Sequence, residues 1–381
     1  MINKSNLIIY FYTYFSADMI FVYTRSYLPI YFSNVIKIDT TQLSFVLFLS
    51  YLALLSRPLI SLYFDRKNSK RKLLVLISGL SILVNFSLLI LNLHSTLLFG
   101  MLFAVVLISI SINTVGVNKI MISNSPDMKS KNRNALLIQF GSISGSLFPI
   151  FIFLLSVGSS SNWSNFFILG ILFITPLLFF LILLKDKSDT YQSEKKNEKP
   201  TNKKPVILIA LFLFLAYSDR LFSYSIKPWI SGQTNTTFFS ILWFILILIY
   251  AAGNFIGGIF LKNLNCKKTL LITTFIIGII LFIAPFTDFS LFLLFYGAYF
   301  FISGLFLIKL IPFKMEIAQG KVFYYQLITV FSILASIVYI PIGTYLYTYI
   351  ETTIVVMISG VLIILSIIPI YFISPNFRIN N

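Results

Sequence analysis

The sequence predicts an all-α, polytopic membrane protein of twelve transmembrane helices arranged as two pseudo-symmetric six-helix bundles. Three observations predict it. Apolar residues come in runs of about 18 to 26, enough to cross a hydrocarbon core of roughly 30 Å at about 1.5 Å per residue, whereas a membrane β-barrel alternates in segments of about ten. Basic residues are confined to alternate loops. The two halves of the chain also match when one is slid over the other.

Composition sets the class. Of 381 residues, 58% are hydrophobic and 11% charged, against roughly 25% charged in soluble domains, and no aqueous fold hides that much apolar surface. The net charge of +17 raises the question of a nucleic-acid partner, which the placement of the charges answers. With the N-terminus in the cytoplasm, Lys4, the 65–72 loop, Lys129 to Arg133, the 185–205 segment, Lys262 to Lys268 and Lys314 to Lys321 all lie inside, and the opposite loops hold only Lys37. That is the positive-inside asymmetry. It predicts a multi-pass protein of the cell membrane with both termini cytoplasmic, a lipid-bilayer partner and no nucleic acid. The single cysteine, Cys266, and single histidine, His94, exclude a disulfide and a Cys/His metal cluster. No cofactor is expected.

Six runs lie at about 7–32, 41–63, 73–92, 96–118, 135–157 and 163–184. The first is too long for a signal-peptide core and is read as a span. Residues 185–205, KDKSDTYQSEKKNEKPTNKKP, contain no aliphatic residue and have a flexible linker's composition. Six further runs follow at about 206–230, 237–261, 269–286, 289–311, 322–346 and 353–374, the ninth and tenth meeting at Thr287 and Asp288. The expected organisation is a bundle over 1–184, a cytoplasmic linker over 185–205 and a second bundle over 206–381.

The halves share the pattern D-x-x-F-x-Y-[ST]. Asp18, Phe21, Tyr23 and Thr24 in run 1 match Asp219, Phe222, Tyr224 and Ser225 in run 7. Thr40, Thr41 and Ser44 fall on Thr236, Thr237 and Ser240 at a shift of 196, which also carries Arg71 and Lys72 onto Lys267 and Lys268. A period near 200 broken by a linker implies two parallel repeats.

The loop between runs 2 and 3 reads Ser61-Leu62-Tyr63-Phe64-Asp65-Arg66-Lys67-Asn68-Ser69-Lys70-Arg71-Lys72. It resembles the signature G-x-x-x-D-[RK]-x-G-[RK]-[RK] of the major facilitator superfamily, with Asp65, Arg66, Lys70 and Arg71 at matching places. Ser61 replaces the first glycine, and Asn68-Ser69 replaces the second with one extra residue. The resemblance implies a gating loop in which Asp65 faces Lys321 and Val322 at the start of the eleventh span. Arg57, before Pro58, is expected to brace the inner gate with Asp65. In the repeat, Gly257 stands where Ser61 stands, and the acidic position becomes Leu261. The fourth span lacks the arginine that many proton-coupled members of that family place there. Gly141, Gly145 and Pro149 in run 5 faintly resemble the family's antiporter signature, although such spacing also serves plain helix packing.

Asp18 lies about eleven residues into run 1, roughly 16 Å along a helix and close to the midplane, and Asp219 has the same depth in run 7. Carboxylates there are costly unless protonated, paired or facing water, so they mark a substrate or proton path, or else an ion pair that locks helices together. Arg25, seven residues after Asp18, falls on the same helix face and either binds an anionic group or snorkels. Arg220 is rotated roughly 100° from Asp219, and one of the two is expected to pair with another helix. Lys227, Lys119 and Lys309 read as snorkelled anchors at span ends. Tyr23 and Tyr224 are the aromatic candidates for a cavity suited to an amphipathic organic solute.

The resemblance implies a monomeric secondary transporter that moves a small organic solute by alternating access, with protons as the candidate coupling ion. The rival reading is a non-transporting receptor or sensor of the same fold. No Gly-Lys nucleotide loop and no His-rich or acidic-pair constellation is present, so no enzyme is expected.

Overall fold

The computed structural model describes residues 4–27, 31, 48, 50–66, 71–91, 95–123, 125, 127–160, 163–183, 204–222, 226–234, 236–261, 263–318, 321–347 and 349–373. The chain divides into two compact units, Met1–Pro126 with Leu137–Asn197, and Asp127–Leu136 with Glu198–Asn381.

In the first unit, α1 (Lys4–Val22) runs into a π-helical turn, Tyr23–Tyr27. Thr24 back-bonds there to the Ile20 carbonyl at 2.8 Å, competing with the regular ladder. A 3₁₀ turn, Ala53–Ser56, leads into α2 (Arg57–Arg66), followed by α3 (Arg71–Leu91) and α4 (Thr96–Ser123). Helix α5 (Met128–Ser160), which belongs to this unit from Leu137 on, is followed by α6 (Trp163–Ile174) and α7 (Pro176–Ile182), which Pro176 separates at Thr175. Pro176 has no N–H to continue the α-helical ladder but is well suited to a new first turn.

In the second unit, α8 (Lys204–Ala216) ends in a 3₁₀ turn, Ser218–Leu221, and α9 (Ile226–Gln233) follows. Then come α10 (Thr236–Phe260), α11 (Cys266–Ile283) with a 3₁₀ turn Ala284–Phe286, and α12 (Phe289–Ala318). Helices α13 (Val322–Tyr347), α14 (Thr352–Leu365) and α15 (Ile367–Tyr371) complete it. Side-chain caps set several starts: Asn265 accepts from the Lys268 N–H at 3.2 Å, and Asp288 from the Leu291 N–H at 2.8 Å. Each satisfies an otherwise orphaned first-turn donor.

Among the described residues, nine helices are long and apolar enough to cross a membrane, and Asn6–Val22 is a shorter apolar one. The predicted runs that are not among those nine are the first, second and seventh. Run 1 gives way to the π turn, run 2 is described only in part, and run 7 breaks at Tyr217–Phe222. Other boundaries also move. Helix α5 begins seven residues before the predicted run 5, because Asp127 caps it: the carboxylate accepts from the Ser130 N–H at 2.7 Å, and Ser130 Oγ donates to the Asp127 carbonyl at 2.8 Å. Helix α12 continues through Pro312 to Ala318, seven residues past its predicted end. Hydropathy does not register such polar turns. Of the linker, only Lys204 and Pro205 are described, and they begin α8.

Helix pairings recur in the two units. In the first, α3 packs on α4, α2 on α4 and α1 on α6; in the second, α11 packs on α12, α10 on α12 and α8 on α14. Glycines permit the closest crossings. A Cβ at Gly141 or Gly145 of α5 would strike the backbone carbonyls of Phe11 and Phe15 on α1, and one at Gly343 of α13 would strike the Leu221 carbonyl. The Gly141/Gly145 spacing is therefore a packing contact between α5 and α1, small residues letting backbones approach.

Candidate functional site

The chemistry-bearing residues of the first unit gather on α4. Tyr14, one turn before Asp18 on α1, donates its hydroxyl to Asn118 Oδ1 at 2.7 Å. Arg57 Nε reaches Ser111 Oγ at 3.4 Å, and Tyr14 lies within electrostatic reach of both Arg57 and Asp18. Asp18 is itself half-buried. A carboxyl, a guanidinium, a phenol and an amide thus share one neighbourhood. Sequence reading missed Tyr14, Ser111 and Asn118. Their signal was available: Ser111, Thr114 and Asn118 form a polar stripe at i, i+3, i+7 along one face of an otherwise apolar span.

The gating residues are arranged differently from the expectation. Asp65 does not wait for Arg57; its Oδ1 meets Lys119 Nζ at 2.6 Å. Arg57 and Asp65 sit at opposite ends of α2, about 12 Å apart along the axis, and each bonds to α4 separately. Lys119 is only 5% exposed, so it is no snorkelled anchor. Lys309, at 2%, is not one either. Ser61 is fully buried, its hydroxyl satisfied by the Pro58 carbonyl at 2.6 Å. Beside it, Phe64 packs against Gly116 of α4, where a Cβ would strike the Val75 side chain and crowd the Phe64 ring. Lys70 lies outside the described residues, as do the side chains of Arg66 and Arg71.

Tyr23 is packed rather than open. Its ring is fully buried and stacked on Phe166 at 4.4 Å, its hydroxyl donates to the Phe166 carbonyl at 2.9 Å, and a Cβ on Gly170 would strike the ring. The side chains of Arg25 and Lys227 lie outside the described residues, as does Tyr224.

In the second unit Asp219 sits on the 3₁₀ turn that interrupts the seventh run. The turn is held from two sides. Ser218 Oγ donates to the Ser359 carbonyl of α14 at 3.1 Å, and Gly343 lets the Leu221 backbone press against α13. Asp219 Oδ2 accepts the Tyr299 hydroxyl at 2.8 Å, while Oδ1 is buried without a hydrogen-bond partner among the described residues. Around it stand stacked Tyr296 and Tyr299, with centroids 5.6 Å apart, and Phe222, 6.2 Å from Tyr299. The Arg220 guanidinium turns instead toward the Tyr217 ring, 5.7 Å from its centroid. Asp219 and Arg220 nevertheless share a neighbourhood, since Tyr217 and Tyr299 each lie within electrostatic reach of both. Tyr299 was missed by sequence reading because nothing local connects it to a residue 80 positions away.

No protein-family model matches the sequence, and no curated protein sequence matches it significantly. Solved structures do. The human organic anion transporter MFSD10 (TETRAN) superposes with a TM-score of 0.69 at 13% identity, covering 96% of this chain and 99% of that one. A bacterial homologue of the iron transporter ferroportin, in its outward-facing state with soaked iron, superposes with a TM-score of 0.71 at 13% identity, covering 97% and 98%. Likeness over nearly the whole of each chain joins the helix pairings and the signature-like loop in one conclusion: this chain has the fold of the major facilitator-type transporters.

Proposed function

We propose that the protein is a secondary transporter of a small, amphipathic organic solute, working by alternating access between two six-helix halves with protons as the coupling ion. One observation carries the reading. A buried carboxylate oxygen without a hydrogen-bond partner among the described residues, Asp219 Oδ1, stands on a broken helix among aromatic rings, and such a group calls for a proton or a cationic group of the solute. Discontinuous helices in transporters are associated with binding of this kind.

Asp18 is the counterpart in the first unit and the first choice for the proton-carrying group, with Arg57 the cation that modulates it. The fourth span carries no arginine of its own, and α2 brings the guanidinium of Arg57 to Ser111 on its face instead. Tyr299 is the positioning residue for Asp219, and Tyr14, bonded to Asn118, is the phenol nearest in charge to Asp18.

Purified protein is first screened by thermal unfolding against solute classes, since a ligand of the native state stabilises it by mass action. Uptake of the stabilising solute is then followed in vesicles under an imposed pH gradient. Asp18→Asn and Asp219→Asn are each expected to abolish gradient-driven uptake while leaving the protein folded. Full uptake by Asp18→Asn sinks the coupling assignment, and binding without flux in the wild type identifies a sensor.

A further inference from the structure

Helix α13 begins beside the exposed Lys321 and carries Gln326 in its second turn, where the side chain is 1% exposed. Both of its polar atoms, Nε2 and Oε1, are buried without a hydrogen-bond partner among the described residues. A primary amide offers two donors and an acceptor with two lone pairs. Asn113 and Asn254 also strand an oxygen, yet each donates its amide nitrogen to a carbonyl, of Val75 and of Tyr250, at 3.1 Å. Gln326 has neither end satisfied.

The polar groups beside it are engaged elsewhere. Thr329, its i+3 neighbour on the helix surface, donates to the Tyr325 carbonyl at 2.9 Å and accepts from Lys314 Nζ at 3.3 Å. The Lys314 ammonium also lies over the Tyr325 ring, 5.0 Å from its centroid. Val322 and Val330, one turn before and one turn after Gln326 on the same face, are both buried, so this face is closed to water. The hydrophobic core of the second unit takes Ile328, Ala335 and Tyr339 from α13, but neither of those valines. Burial outside the core can be given up while the core stays intact.

An amide enclosed and unbonded loses its hydration and gains no hydrogen bond for it. An apolar side chain of the same length would suit this arrangement better. We infer that Gln326 is a conformational switch: the fold has a second arrangement in which the Lys321 end of α13 opens to water and hydrates the amide, and the stranded amide holds the closed arrangement below its attainable stability. Each substitution at this position then shifts the balance by its differential stability in the two arrangements. The inference shares with the proposed function only the alternation between two arrangements and needs no solute, so its failure leaves solute binding and uptake to be judged by their own measurements.

Val330→Cys places a thiol on the same face, and its reaction with a charged, water-soluble maleimide reports opening in the purified full chain, with the buried Cys266 present in every variant as the reference. Val322→Cys serves in its place if that variant does not fold. Added to this parent, Gln326→Met, which keeps the length and removes the amide, is expected to slow labelling about tenfold, the factor for roughly 1.4 kcal/mol, and to raise the unfolding midpoint by about 2–4 °C. Gln326→Glu, costlier to enclose, is expected to speed labelling. An unchanged or faster rate in Gln326→Met, a midpoint that does not rise, or no labelling of the parent at all overturns the proposal. A Gln326→Glu rate no faster than the parent's overturns it too, and if that variant does not fold, Gln326→Met decides alone.

Discussion

Tyr299 on α12 holds Asp219 Oδ2 by a 2.8 Å hydrogen bond across 80 residues of sequence, while the other carboxylate oxygen is buried with no hydrogen bond among the described residues. Tyr299→Phe keeps the ring and its stacking on Tyr296 but removes the donor. The expected result is a stability loss of about 1–3 kcal/mol, the range for stranding a buried acceptor. Tyr296→Phe serves as the control, with a shift well under that. Chemical or thermal unfolding of both variants checks this, and equal effects would show that the Tyr299 hydroxyl is not the group that matters.

The Lys119–Asp65 pair calls for a double-mutant cycle. Removing one member of a buried pair strands the other, at about 3–5 kcal/mol when both are fully enclosed. Asp65 retains 19% side-chain exposure, so Lys119→Met and Asp65→Asn are each expected to cost less, about 1–3 kcal/mol. The double variant should recover part of that loss. Additivity within about 0.5 kcal/mol would mean that the two groups are not coupled.

Gly343 and Gly297 make opposite predictions for the same substitution. A Cβ at Gly343 collides with the Leu221 carbonyl, a backbone atom of the turn that carries Asp219, whereas at Gly297 the nearest atom is Ile249 Cδ1 at 3.7 Å. Gly343→Ala should sharply reduce the yield of folded protein. Gly297→Ala should be neutral or stabilise by up to about 1 kcal/mol, the helix-propensity difference. Monodispersity on size-exclusion chromatography and the unfolding midpoint distinguish them.

Asp127 gives α5 a pH-dependent start. Hydrogen bonds from Ser130, side chain first and then backbone, hold its carboxyl below the usual carboxylate range. A lowered value in the folded protein means that the contribution is full above the unfolded value of about 3.9 and is lost as pH falls through the folded one. Wild type and Asp127→Ala should therefore differ in midpoint at pH 7 and converge in acid below that window. A difference that persists unchanged there would show that the cap acts without its charge.

Much of the fold was readable from particular segments. Arg71 to Leu91 and Cys266 to Ile283 were visible as apolar runs with basic ends, because a bilayer tests hydrophobicity over a whole window and loops by their charge. The breaks at Tyr23 and Ser218 were not visible. Each sits inside an apolar run, and it is the Thr24 back-bond, the Ser218–Ser359 contact and the approach of Gly343 that accompany the departure from a regular helix. Lys119 and Lys309 were misread for a related reason. A lysine at a span end reaches water in most surroundings, and only the packing of α2 on α4 and of α10 on α12 encloses these two.

By itself, then, the sequence determined that the chain lives in a membrane and which loops carry its positive charge, and it raised the expectation that its halves repeat with Asp18 and Asp219 as counterparts. These follow from local composition and linear spacing, which the bilayer reads one segment at a time. Tertiary structure decided the partners: Tyr299 for Asp219, Lys119 for Asp65, Ser111 for Arg57, and the Leu264 carbonyl for Lys309. The energy of a buried charge depends on which groups packing brings within a few ångströms, and that choice is made between helices far apart in the chain.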